Sequence, residues 1–165
     1  MELFDILDKD GNKTGLTAKK GTQLQDGQFY LGIHVYIFNS SMEFLLQQRS
    51  YNKAFLPGGW DVVLEHAIAG ETSRECAIRG IKEEIGLHVS DISFIGRMFW
   101  KEHHHIVDIY FAKKDFQVDA LSFGQGEVIA AAFVSKEEML AHVSNMHYRP
   151  SEYRQFISHE IEKRK

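Results

Sequence analysis

The sequence predicts an α/β fold in which one sheet is covered by helices. Several short segments rich in aromatic and β-branched residues are separated by turn residues, which is typical of strands. One central segment, residues 72–85, repeats its apolar residues with a helical period instead. Two segments near the C-terminus begin with residues that favour helix starts. Strands mixed with three helices in this way form a sheet packed against helices.

Strand signals occur in seven segments. They are residues 2–8, 14–21, 29–38, 43–49, 91–100, 106–113 and 127–134. The first two are separated by a turn in which Gly11 can supply a positive φ, so we expect an N-terminal β-hairpin. The stretch from Leu56 to Trp60 consists of turn residues and interrupts the strand pattern.

The central predicted helix has one apolar stripe facing a core, formed by Ala77, Ile78, Ile81 and Ile85. Gly86 is placed to end this helix. Ser135 is the expected N-cap of a second, short helix. Pro150 opens a last helix that reaches about residue 162, since proline is tolerated in the first turn.

Composition excludes several functional classes. At 165 residues the chain is long enough for one compact domain, residues 1–165, with a core of its own. A net charge of −4 argues against a general affinity for nucleic acid, which requires a basic face. No apolar run approaches the ~20 residues of a membrane span, and no basic signal-peptide region is present. Cys76 is the only cysteine, so we expect a reducing compartment, the cytoplasm.

The central helix carries a cluster of carboxylates. Glu83 and Glu84 are adjacent and lie one turn from Arg79. Like charges side by side are costly unless a cation neutralises them, and Mg²⁺ prefers carboxylate oxygens. The alternative is a solvated helix face on which Arg79 and Glu83 form an i,i+4 ion pair worth a few tenths of a kcal/mol. Taken alone, the pair Glu83-Glu84 is more typical of a solvated helix face than of a metal site.

The residues around the cluster favour the metal site. Gly70-Glu71, seven residues, Arg79, three residues, Glu83-Glu84, one residue and Gly86-Leu87 form a long fixed pattern that resembles the Nudix box of pyrophosphate hydrolases. Other segments are similar to the Nudix subgroup that includes isopentenyl diphosphate isomerases, and they spread the resemblance over nearly the whole chain. These segments are Gln47-Gln48-Arg49, Trp60-Asp61, Glu127-Val128, Phe133-Val134-Ser135 and Glu137-Glu138.

The resemblance implies a Nudix α/β/α sandwich with a mixed sheet between helices, and Mg²⁺ as cofactor, with Mn²⁺ able to substitute. It implies that Glu83 and Glu84 bind the metal, and that Glu71 and Arg79 brace the loop-helix-loop. Glu127 matches the position of a further metal ligand or base in many relatives. A solvated loop carboxylate is an equal alternative for Glu127.

Two positions depart from the Nudix pattern. Glu65 stands where the family has a glycine, and Gly80 stands where it has a metal-binding glutamate. Gly80 also costs roughly 1 kcal/mol of helix stability relative to Ala. One hypothesis is that Glu65 reaches into the space that Gly80 vacates, so that a metal ligand is relocated and not lost. The alternative is that Glu65 points to solvent and that Gly80 marks reduced or absent catalysis.

Three further residues are candidates for substrate binding: Arg49, His34 and Asp108. The donors of Arg49 suit a phosphate, with a strand-end ion pair as the alternative. His34 and Asp108 are polar residues on apolar strands, so they either line a cleft or are satisfied in the interior. The run His103–His105 indicates a junction between loop and strand more than a metal site, because strand side chains alternate. His103 or His105 could contact a ligand phosphate.

The sequence therefore predicts a Mg²⁺-dependent hydrolase of a small diphosphate-containing metabolite, such as a nucleoside diphosphate derivative. The alternative, favoured by Gly80, is a Nudix-fold module that binds a nucleotide or phosphorylated ligand with weakened chemistry. An isomerase is disfavoured, because no catalytic cysteine motif precedes the box and Cys76 is interpreted as a packing residue. The expected partner is the small substrate, without nucleic acid or membrane, and the N-terminal hairpin and the relatives make a homodimer plausible.

Overall fold

The computed structural model describes residues 2–124 and 126–165. The strands are β1 (Leu3–Leu7), β2 (Lys13–Lys19), β3 (Tyr30–Phe38), β4 (Phe44–Arg49), β5 (Trp60–Asp61), β6 (Val63–His66), β7 (Ile92–Trp100), β8 (His105–Lys113) and β9 (Val128–Val134). The helices are α1 (Ser73–Ile85), α2 (Lys136–Ser144) and α3 (Ser151–Glu162), with 3₁₀ turns at Lys101–His103 and Val118–Ala120. Strands are mixed with three helices as predicted, which confirms the fold class.

The predicted N-terminal hairpin is confirmed. Strands β1 and β2 pair antiparallel in a two-stranded sheet of their own. Gly11 in the connecting turn has φ 85°, a conformation that glycine adopts without strain. The hairpin is tied to the rest of the molecule by two backbone hydrogen bonds between Leu7 and Phe29, of 2.8 and 3.0 Å.

The main sheet has seven strands and is mixed. Strands β5, β4, β3, β8 and β7 follow one another across it, while β6 pairs with β3 and β9 pairs with β4. Only β3 and β8 run parallel among these pairs. The sequence did not predict β5 and β6, because two and four residues are too short to show a periodic pattern.

Strands β3 and β4 separate along their length. They share only the pair Phe38 and Phe44 at one end. Further along, β3 pairs with β6 from Gly32 to Val35, and β4 pairs with β5 and β9. The sheet therefore divides into two halves, and the space between them is available for a ligand.

Helices cover both faces of the sheet. Helix α1 packs Ala77, Ile81 and Ile85 against the β3 residues Ile33 and Val35, and Ile78 is partly buried in the same cluster. Helices α2 and α3 cover the other face, where Met139 and Ile157 pack against Tyr36 and Ile109. Alternate residues of β3 thus face opposite helices. Across the residues that the structure describes, no helix is both long and apolar enough to cross a membrane.

The ends of the helices are set by local chemistry. Thr72 caps α1 and forms a capping box with Glu75, which positions the start of this helix. Gly86 ends it with φ 74°, as predicted. Ser135 caps α2, also as predicted. Pro150 lies one residue earlier than expected, as the residue that precedes α3.

Candidate active site

A cavity of about 590 Å³ lies at the divided part of the sheet, lined by residues of β3, β6, β8, α1 and the end of β4. Its volume is in the range of small-molecule sites. Most of the predicted site residues line it, namely Glu65, Glu83, Glu84, Glu127, Arg49, His34, His103 and His105. A second cavity of about 320 Å³ lies along α3, and none of the predicted site residues lines it.

Arg79 and Glu71 form a brace beneath the cavity. The Arg79 Nε and Nη2 atoms donate to the two carboxylate oxygens of Glu71 over 2.7 and 3.0 Å. Arg79 also donates to the His66 carbonyl at 2.9 Å and to Glu83 Oε2 at 3.1 Å. The Arg79 guanidinium therefore connects the loop before α1, strand β6 and α1 itself. Neither Arg79 nor Glu71 lines the cavity.

Glu65 fills the space beside Gly80. A Cβ atom on Gly80 would lie 3.0 Å from Cβ and 3.3 Å from Cγ of Glu65, which is tighter than ordinary packing. The Glu65 carboxylate accepts a hydrogen bond from the His66 amide at 2.9 Å and lies 3.5 Å from Nη1 of Arg79. Burial raises the pKa of Glu65. Glu65 therefore packs over the helix beside the box carboxylates and does not extend into solvent.

Glu84 is the most deeply buried carboxylate of the cavity, with 5% of its surface exposed. Its Oε1 accepts a hydrogen bond of 2.6 Å from Nε2 of Gln47, on β4. Its Oε2 is buried and has no hydrogen-bond partner among the described residues, and the same is true of Oε1 of Gln47. Burial, with the nearby charge of Glu65, raises the pKa of Glu84 to about 8. This site thus holds acceptor oxygens that lack a positively charged or donating partner.

Glu127 and Arg49 lie at the mouth of the cavity. Glu127 is exposed and pairs with Nζ of Lys53 at 2.6 Å. Arg49 is buried, and its Nε donates to the Phe55 carbonyl at 2.9 Å. Arg49 makes no ion pair with a carboxylate of the described residues, so the alternative of a strand-end ion pair is not formed.

Asp108 is not part of this cavity. Its carboxylate is 1% exposed and accepts two hydrogen bonds from Arg97, of 2.6 and 2.9 Å. It lies on β8 beside Val107, whose side chain does line the cavity, and successive strand residues face opposite sides. The structure thus places Asp108 as a satisfied interior residue, which corrects its assignment to the substrate site.

The histidine run forms the predicted junction between a 3₁₀ turn and β8. His103 and His105 line the cavity, while Nδ1 of His104 lies 3.1 Å from the Gln28 carbonyl. His105 Nε2 is 2.8 Å from Nε2 of His66, a residue that no sequence pattern indicated. Burial lowers the pKa of His66 to about 4. Among the residues that the structure describes, no three His, Cys, Asp or Glu side chains converge as a metal cluster.

A buried ion pair beside the cavity was not predicted from the sequence. Arg149 donates to both carboxylate oxygens of Asp61, over 2.9 and 2.8 Å, and both side chains are almost inaccessible. Arg149 lines the cavity. Its partner lies 88 residues away, so no local pattern could reveal the pair.

Comparison with known proteins identifies the family. The sequence profile of the NUDIX domain matches residues 29–156. The chain belongs to the NUDIX family. An uncharacterized Nudix hydrolase of Listeria monocytogenes is 34% identical over 151 residues, which are 91% of this chain and 89% of that protein. Nudix hydrolase 3 of Arabidopsis thaliana is 32% identical over 161 residues, 96% of this chain and 21% of that longer protein.

The predicted subgroup relationship is also found. An isopentenyl-diphosphate Delta-isomerase of Saccharopolyspora erythraea is 31% identical over 96 residues, 58% of this chain and 50% of that protein. Cys76, on the core-facing side of α1, is fully buried, as expected of a packing residue, and burial raises the pKa of its thiol. The Nudix hydrolase relatives place the chain among enzymes of the pyrophosphohydrolase type.

Solved structures show the same Nudix fold. The crystal structure of DR0079 from Deinococcus radiodurans matches with a TM-score of 0.73 at 16% identity, over 98% of both chains. The NUDIX domain of Shewanella oneidensis NrtR complexed with ADP ribose matches with a TM-score of 0.58 at 16% identity, over 75% of this chain and 81% of that one. The predicted α/β/α sandwich with a mixed sheet is therefore confirmed.

Nudix hydrolases use divalent metal ions, and the residues of this cavity fit such an ion. The unpartnered Oε2 of Glu84 and the raised pKa of this carboxyl show that the protein alone does not stabilise a negative charge there, which a bound cation would do. Glu65 and Glu83 line the same cavity. Mg²⁺ keeps several waters and is often held by one or two carboxylates, so a complete protein cage is not required.

The burial of Glu84 makes the stability of the metal-free protein dependent on pH. The unfolded chain releases the Glu84 proton near the ordinary pKa of 4.5, whereas the folded protein keeps it until about pH 8. Between these values the folded state binds more protons, so stability falls as pH rises, by up to about 1.4 kcal/mol per pH unit. We expect urea unfolding with a chelator present to show this fall between pH 5 and 8. The Glu84→Gln variant should show a smaller slope; an unchanged slope would contradict the assignment.

Proposed function

We propose that the protein hydrolyses a diphosphate linkage in a small metabolite, such as a nucleoside diphosphate derivative, with Mg²⁺ as its cofactor and Mn²⁺ able to substitute. The observation that carries this proposal is the buried, unpartnered carboxylate oxygen of Glu84 in a cavity that Glu65 and Glu83 also line. A neighbour of the same fold is complexed with ADP ribose, a nucleoside diphosphate derivative, which supports the substrate class.

Glu84, Glu83 and Glu65 are the residues that would hold the metal. When bound, the ion would polarise the phosphate oxygens and stabilise the leaving oxygen. Glu65 takes the part that the family assigns to the glutamate at the position of Gly80, since its side chain occupies the space beside that glycine. Arg79 restrains two of the three carboxylates, Glu65 at 3.5 Å and Glu83 at 3.1 Å, and is itself fixed by Glu71.

Three other side chains act on the substrate and on the attacking water. Arg49 offers guanidinium N–H groups that no carboxylate of the described residues occupies, so it binds a phosphate oxygen. Glu127, exposed at the mouth, accepts the proton of the attacking water as a general base. Lys53, 2.6 Å from the Glu127 carboxylate, orients that base.

The proposal is tested by measuring phosphate or nucleotide release from a panel of diphosphate compounds, with Mg²⁺ and with a chelator. We expect release that requires Mg²⁺ and that falls by at least about 100-fold in Glu84→Gln, since this substitution keeps the shape of the side chain and removes its charge. The exposed Glu137→Gln, outside the cavity, is the matched control and should remain fully active.

No release from any compound by the folded protein would overturn the proposal. Calorimetry with the same compounds would then distinguish an inactive protein from a binding module, the second candidate, which the missing glutamate at Gly80 favours. The proposed partner is the small substrate. The proposed location is the cytoplasm, because the only cysteine is a free and buried thiol.

A further inference from the structure

His34, in the cavity wall, is the last in a chain of three buried side chains that are connected by hydrogen bonds. The hydroxyl oxygens of Tyr36 and Tyr153 are 2.7 Å apart, and the Tyr153 hydroxyl is 2.7 Å from Nδ1 of His34. Tyr36 and Tyr153 are sealed in the core between the sheet and α3. His34 is also buried, but it lines the cavity. The chain therefore connects the core with the ligand site.

The number of available hydrogens determines the direction of these bonds. Within the described residues, the Tyr153 oxygen is the only hydrogen-bond partner of the Tyr36 hydroxyl, so the Tyr36 hydrogen must be donated there. The Tyr153 hydrogen then has His34 Nδ1 as its acceptor. Every other arrangement leaves a phenol hydrogen buried without an acceptor, which is unfavourable. Nδ1 of His34 is thus an acceptor and carries no hydrogen.

The other ring nitrogen of His34 faces the ligand site. Burial, with the nearby charge of Arg149, lowers the pKa of His34 well below its usual value, so the ring is uncharged. An uncharged imidazole that lacks a hydrogen on Nδ1 carries it on Nε2. Nε2 has no hydrogen-bond partner among the described residues. This atom is not fully buried, so a ligand in the cavity can reach it.

His34 and the carboxylates lie on different sides of the divided sheet. Glu65 pairs with Ile33, which faces α1, whereas His34 is the next residue of β3 and faces α3 with Tyr36. His34 and the carboxylates nevertheless line the same cavity, so one ligand can contact the carboxylates with its diphosphate and His34 with its other part.

We propose that the Tyr153 hydroxyl holds His34 in the Nε2–H tautomer, and that this N–H donates a hydrogen bond to a hydroxyl or carbonyl oxygen on the non-phosphate moiety of the substrate. The recognition step rests on the proposed function, while the tautomer does not. Tyr153 is a positioning residue, and His34 determines specificity as a donor and not as a base. The preferred ligands carry a sugar or a similar oxygen-rich group beside the diphosphate.

The tautomer is tested by long-range ¹H–¹⁵N NMR of imidazole nitrogens, with the His34 signals assigned by their loss in His34→Gln. We expect a protonated Nε2 and an unprotonated Nδ1 at neutral pH. Tyr153→Phe should abolish this preference. Tyr36→Phe removes a hydroxyl from the same cluster but leaves the Tyr153 donor, so it should keep the preference. A protonated Nδ1 in the unmodified protein, or the same spectrum in both variants, would overturn the proposal.

Recognition is tested by calorimetry with ADP-ribose and with inorganic pyrophosphate, using Ca²⁺ in place of Mg²⁺ to suppress turnover. We expect Tyr153→Phe to weaken ADP-ribose binding by about tenfold. Pyrophosphate, which lacks the second moiety, should bind equally well, and Tyr36→Phe should change neither affinity. ADP-ribose that binds no better than pyrophosphate, or that binds equally well to both variants, would overturn the recognition step. A failure of the proposed function would instead appear as absence of turnover, with the NMR result intact.

Discussion

Replacing Glu65 by Gln is expected to lower kcat/KM for diphosphate hydrolysis by at least about 100-fold. Glu65 packs over Gly80 and lies in the same cavity as Glu83 and Glu84. Losing a group that only supports a metal ligand typically costs ten- to 100-fold, and losing a ligand itself costs at least as much. Steady-state kinetics at saturating Mg²⁺ measures the effect, with Glu137→Gln as a control outside the cavity. A loss below about threefold would contradict the role of Glu65.

The glutamate of position 65 can be returned to position 80 and tested in the same experiment. Gly80→Glu alone should be impaired, because its Cβ would lie 3.0 Å from Cβ of Glu65. Combining it with Glu65→Gly restores the arrangement that the Nudix pattern has and removes the contact. We therefore expect the double variant to be more active than Glu65→Gly alone. Activity no higher than that of the single variant would show that the two positions are not coupled.

Replacing Asp61 by Asn is expected to destabilise the protein by about 3–5 kcal/mol. Asp61 is inaccessible to solvent, and both of its oxygens accept hydrogen bonds from the buried Arg149. Removing one partner leaves a buried charge without compensation, which is far more costly than losing an exposed pair. Urea unfolding at neutral pH measures the change, and a loss of this size is a large part of the stability of a domain.

Two further variants test whether the loss of stability in Asp61→Asn comes from leaving the buried charge of Arg149 unpaired. Glu160→Gln removes a partly exposed ion pair with Lys163, 2.9 Å long, and should cost less than about 1 kcal/mol. Asp61→Asn combined with Arg149→Met removes both charges, so it should recover part of the loss. A cost for Asp61→Asn as small as that of Glu160→Gln would contradict the role of the buried pair in stability.

Much of the fold could be predicted because its longer elements have strong local signals. The apolar stripe of α1, the N-cap Ser135 and the terminating Gly86 are all local features, and the structure confirms them. Seven strands were found for the same reason. Strands β5 and β6 were missed because they are short and depend on pairing with β4 and β3, which are distant in sequence.

The candidate site was most predictable where its residues belong to one sequence pattern. Glu83, Glu84 and Arg79 share a helix, and spacing alone brings them together. Asp61 and Arg149 approach each other through the tertiary fold, and so do Tyr153 and His34. Asp108 looks like a site residue in the sequence because it is a polar residue on an apolar strand. Only its hydrogen bonds with Arg97 in the structure show that it is a satisfied interior group.

The most direct test of the relocated carboxylate is the Mg²⁺ affinity of Glu65→Gly, compared with that of the unmodified protein by isothermal titration calorimetry. The position of Glu65 over Gly80 and beside Glu83 and Glu84 predicts that the variant binds Mg²⁺ at least about tenfold more weakly. An unchanged affinity in the folded variant would contradict the claim that Glu65 supplies the ligand that Gly80 lacks.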